Sequence, residues 1–87
     1  MHAVVIDVTI DDQSAAQAEL EQLVPQVSAA PGFVAAYWVA MPDGTGTSIA
    51  VFDSEASAQA LIAMTESGRA MAVTMRRVAL GEVIAHA

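Results

Sequence analysis

Few side chains in this sequence can do chemistry, and each of them has a structural reading beside its chemical one. Tyr37 and Trp38 are adjacent, so on a strand they point to opposite faces. One of them can wall a ligand pocket by stacking; the simpler reading is packing with one hydrogen bond per polar tip. Asp7 is a lone carboxylate in an apolar run. Buried in a cavity it would serve as a general base; otherwise it faces water or pairs across a sheet with Arg76 or Arg77. His2 and His86 lie near the two ends. They would bind a metal only with a third ligand, and exposed, mobile end residues are the simpler account. No metal site is therefore expected, and no catalytic residue is assigned.

Other chemistries are excluded outright. There is no cysteine, which removes disulfides, thiolate metal sites and a thiol nucleophile. The six serines include no G-x-S-x-G, the turn that presents a hydrolase nucleophile. Gly44-x-Gly46 lacks the third glycine and the helix start of a dinucleotide site, and reads as a hairpin tip. Met41, Met64, Met71 and Met75 read as adaptable core fillers. The charges are unevenly spread. Residues 1–68 carry nine acids and no base, whereas Arg69, Arg76 and Arg77 all fall in the last third with Glu82. Any anion-binding role should centre there. The net charge of −7, with no lysine, disfavours a nucleic-acid partner.

The elements that must position these residues follow from periodicity. Residues 3–10 (AVVIDVTI) alternate as a strand. Val4, Ile6, Val8 and Ile10 form a wholly apolar face, expected to meet the helices and leave Asp7 on the other side. Asp11-Asp12 offers a helix N-cap. Residues 13–29 fit a helix with Ala16, Leu20, Leu23, Val24 and Val27 as its stripe. Pro25 should kink that helix or tighten its last turns. Residues 33–41 read as a second strand with Phe33, Ala35, Tyr37, Val39 and Met41 on one face and Val34, Ala36, Trp38 and Ala40 on the other. PDGTG at 42–46 is a turn, and 47–52 completes a hairpin. A second helix begins at Asp53-Ser54-Glu55 and buries Ala58, Leu61, Ile62 and Thr65. Residues 69–75 read equally as loop or helical turn, and 76–86 as a last strand with a bulge or bend at Gly81.

The order β-α-β-β-α-β, with right-handed crossovers, interleaves the two halves. The expected fold class is therefore α+β and ferredoxin-like: one four-stranded antiparallel sheet with two helices on one face, in a single domain spanning 1–87. Of the 87 residues 55% are apolar, but nineteen are alanine, so one such core sits near the margin of stability. The uncovered sheet face and the small core together point to a homodimer with sheet packed on sheet. No segment reaches the length of an apolar membrane span and Asp7 interrupts the first apolar run. A cytoplasmic protein with no membrane partner is expected.

PGFVAAYW at 31–38 and VFDSEASAQAL at 51–61 resemble the small dimeric α+β barrel proteins, and within them the antibiotic-biosynthesis-monooxygenase group. The resemblance implies a barrel made by two subunits, with pockets between each sheet and its helices. It also implies oxidation of phenolic polycycles, or haem degradation, with no separate cofactor. Active members commonly carry tryptophan at the end of the third strand and histidine early in the second helix; here those positions are Phe52 and Ala60, and no asparagine stands in. The expected ligand site lies between helices and sheet. Tyr37 or Trp38 forms its aromatic wall, Phe52 lies beside it, and Arg69 is the cation at its mouth. Two functions follow as expectations: cofactor-free oxidation of an aromatic metabolite, or a non-enzymatic barrel that binds an apolar small molecule or serves a partner.

Overall fold

The structure, a computed structural model, describes residues 1–67 and 73–87. Its elements run β1 (His2–Ile10), α1 (Gln13–Ser28), β2 (Phe33–Ala40), β3 (Thr45–Phe52), α2 (Glu55–Ser67) and β4 (Val73–Glu82). The strands form one antiparallel sheet in the order β2-β3-β1-β4, the interleaved arrangement expected of a ferredoxin-like α+β fold. Among the described residues no helix is long and apolar enough to cross a membrane.

Local chemistry sets most boundaries. Asp12 caps α1, its carboxylate accepting the Ala15 amide at 3.0 Å. Pro25 leaves the helix unbroken to Ser28 but tightens its end: the Ala30 amide bonds three residues back to the Val27 carbonyl at 3.1 Å. Ser54 caps α2, its hydroxyl accepting the Ser57 amide at 3.2 Å. At the hairpin tip the Asp43 carboxylate accepts both the amide and the hydroxyl of Thr45, at 3.0 and 2.6 Å. Those bonds begin β3 at Thr45, two residues earlier than the alternation implies.

The core is small. Val4, Ala50 and Phe52 from the sheet meet Val27 of α1 and Ala58 and Leu61 of α2. Both helices thus lie on one sheet face. Val4 is buried and Ile6 packs against this cluster, as the apolar face of β1 implies. Val24 of the expected α1 stripe is exposed instead.

Two irregularities revise the expected faces. In β2 the register skips between Phe33 and Ala35, so Phe33 opposes Phe52 while Ala36 opposes Ala50. Directly opposed residues share a face, which places Phe33 with Ala36 and Trp38 against the helices, not with Tyr37. In β4 the register skips where Asp7 opposes Arg77 and Val8 opposes Met75, leaving Arg76 as the extra residue. The apolar positions explain it. Val73 and Met75 oppose the inward Ile10 and Val8, whereas Val78 and Leu80 oppose the inward Ile6 and Val4. Those pairs differ in parity, and one surplus residue reconciles them. The bend expected at Gly81 is therefore absent, since Gly81 stays in register with Ala3. Likewise β4 ends at Glu82, and beyond the Val83 amide on the Met1 carbonyl at 2.9 Å the chain leaves the sheet, carrying His86 with it.

Candidate functional site

The sheet separates the aromatics. Trp38 turns inward and, with Ile6, Leu23, Val27, Ala50 and Leu61, lines an apolar cavity of about 30 Å³ between sheet and helices. That volume is in the range of one or two water molecules, roughly a tenth of the smallest drug-sized pockets. No titratable side chain lines it. Tyr37 lies on the opposite face and is 66% exposed. Phe52 is 0% exposed and meets Phe33 edge-on, ring centroids 6.1 Å apart at 80°, so it fills the core between the hairpin and the helices. Arg69 lies outside the described residues. Trp38 and Phe52 thus share the inward side, while Tyr37 is separated from both by the thickness of the sheet. Ala60, where active members of the resembling group carry histidine, is exposed on α2.

The open face has two halves. One is apolar: Val5 opposes Ile49 and Ala79, Ala3 opposes Val51, and Tyr37 opposes Ile49 from the other side. Tyr37, Val39 and Ile49 are all exposed. The other half is polar. Asp7, Thr45, Thr47, Arg76, Arg77, Gly46 and Met41 line an open cleft of about 490 Å³. Here the Asp7 carboxylate accepts the Thr47 hydroxyl at 3.0 Å. It faces Arg77 in register, yet among the described residues neither arginine is in ion-pair contact with a carboxylate. The nearby Asp43 carboxyl is held below its ordinary value, chiefly by the Thr45 hydroxyl and then by the Thr45 amide; Arg76 contributes the least.

Periodicity alone missed the pairing of Arg76 with Arg77 in one cleft. A regular strand sends neighbours to opposite faces, and the bulge is what lets both arginines line one cleft. The parity change between Met75 and Val78 is the signal that carried it.

At the far end of β1, His2 Nε2 lies 3.8 Å from a Glu55 carboxylate oxygen on α2, while its Nδ1 is buried without a hydrogen-bond partner. His86 is exposed beyond β4. Among the described residues no three His, Asp or Glu side chains converge as a metal site would require. Neither a protein-family model nor a curated protein sequence matches this chain.

Proposed function

We propose that this chain is a cytoplasmic homodimer, two sheets meeting across the apolar halves of their open faces, that binds an apolar or aromatic small molecule. The observation that carries the reading is the outward cluster of Tyr37, Val39 and Ile49 beside Val5 and Val51. Large apolar side chains grouped on one face of a small domain lose contact with water when a second copy covers them. The small inward core supports the same reading, because a second sheet adds the buried area that the six core residues among those described lack.

Cofactor-free oxidation of an aromatic metabolite is the second reading. The inward Trp38 and the apolar lining of its cavity favour it, as does the resemblance of 31–38 and 51–61 to the monooxygenase group. A polycyclic substrate would have to part the helices from the sheet to enter a space of about 30 Å³. Light scattering at high micromolar concentration tests the assembly. The expected mass is twice 9.0 kDa, returning to the single-chain value in Val39→Lys and Ile49→Lys. A wild-type protein at the single-chain mass refutes it. Oxygen uptake with a panel of anthrones and hydroquinones, beside a haem titration, separates the two readings: uptake or a spectral change selects the oxidation.

A further inference from the structure

We propose that the bulge in β4 is a binding site for the carboxylate group of a small organic acid, held between Arg76 and Arg77 with its apolar body against Met41. The placement begins with parity: the surplus residue that reconciles the inward pairs of β4 sets two consecutive arginines along one cleft. Two like charges side by side repel each other, and an anion shared between them relieves that repulsion. Asp7 lines the same cleft opposite Arg77 and Asp43 feels the charge of Arg76, yet among the described residues neither carboxylate is within ion-pair distance of an arginine. Asp7, the nearest carboxylate in register, takes its hydrogen bond from Thr47, and Thr45 donates to Asp43. Both threonine hydroxyl protons are thus committed, so the free donors of the cleft are guanidinium N–H groups. Their planar forks match the two oxygens of a carboxylate.

The surroundings narrow the class. The cleft volume of about 490 Å³ suits a small molecule. Asp7 beside the arginines and the net charge of −7 repel a multiply charged ligand, which favours a single carboxylate over a phosphate dianion. Met41 is exposed at the rim and offers a polarisable surface for an aromatic or aliphatic body. The site is distinct from the inward Trp38 cavity and from the apolar half of the open face.

The test is a titration of the wild-type chain with benzoate, acetate and inorganic phosphate at constant ionic strength, followed in amide and methionine-methyl correlation spectra. Benzoate should give saturable shifts at residues 45–47, 76 and 77 and at the Met41 methyl, and should bind more tightly than acetate or phosphate. Arg76→Gln or Arg77→Gln should each weaken it about tenfold, the loss of a charge-assisted hydrogen bond. Arg77→Lys should lose nearly as much, because an ammonium cannot make the fork. Both arginines are exposed, so these variants should melt with the wild type. The proposal is overturned if benzoate gives no saturable shift, if the Arg76→Gln/Arg77→Gln double variant shifts as the wild type does, or if phosphate binds more tightly than benzoate.

Discussion

Truncating Phe52 should be the most damaging single change in the inward face. The ring is fully buried and touches Phe33 edge-on. Replacing a buried phenylalanine by alanine costs about 3–5 kcal/mol, the transfer term plus the cavity left behind. An 87-residue chain at roughly 0.05–0.15 kcal/mol per residue has about 4–13 kcal/mol in all. Phe52→Ala therefore removes at least about a fifth of the stability and at the low end unfolds the protein. Phe52→Leu keeps most of the volume, for which the cost is under about 1.5 kcal/mol, plus about 0.5–1.5 kcal/mol for the lost ring pair. Phe52→Trp, the residue that active members of the resembling group carry, has no room: overpacking should cost about 1–3 kcal/mol. Urea unfolding read by far-ultraviolet circular dichroism measures all three at one protein concentration. With a slope near 1 kcal/mol per molar for a domain this small, the leucine variant should shift the midpoint by about 0.5–3 M. An alanine variant that loses less than about 1 kcal/mol would refute the view that this ring holds hairpin and helices together.

Two further predictions rest on the turns. Gly32 has φ +79°, and a Cβ there would run into the Asp53 carboxylate and come within 2.6 Å of the Ser57 hydroxyl oxygen. Gly44 has φ +86° with open space around it. Both alanine substitutions should cost about 1–2 kcal/mol for left-handed backbone, but Gly32→Ala should cost clearly more by thermal melting; equal losses would show that the Asp53 and Ser57 contacts are slack. Asp43 should titrate below its ordinary 3.8. Its contribution is then complete above that value and lost as pH falls through the lower folded one. Thr45→Val removes the leading cause and should raise the titration point of the Asp43 carboxyl carbon, followed by NMR; an unchanged midpoint would contradict the assigned hydrogen bond.

The polar half of the open face bears on specificity. Its donors are guanidinia flanked by Asp7, so an acid bound there would sit beside a carboxylate that is itself satisfied by Thr47. That arrangement selects against dianions by charge rather than by shape. It would also give Arg76 and Arg77 a role that does not require the inward cavity.

The element order, the inward face of β1 and, to within a residue, the helix caps at Asp11-Asp12 and Asp53-Ser54 were legible in the residues, because each depends on neighbours a few positions away. Alternation over 3–10 pairs Val4 and Ile6 on one side whatever the rest of the chain does, and a capping side chain reaches only its own first turn. Even the antiparallel interleaving followed from the order of elements and the handedness of crossovers. Which way Phe33, Arg76 and Arg77 point was another matter. A bulge is a property of two strands together: the surplus residue is defined only against a partner, here Phe52 opposite Phe33 and Asp7 opposite Arg77. The parity changes at 33–36 and 75–78 are present in the sequence, but a single strand read alone cannot say which of its two phases meets the core. The size of the inward cavity was likewise settled only in three dimensions. It depends on how closely Leu23, Val27 and Leu61 settle onto Trp38 and Ala50, and close packing between distant segments leaves no trace in the spacing of any one of them.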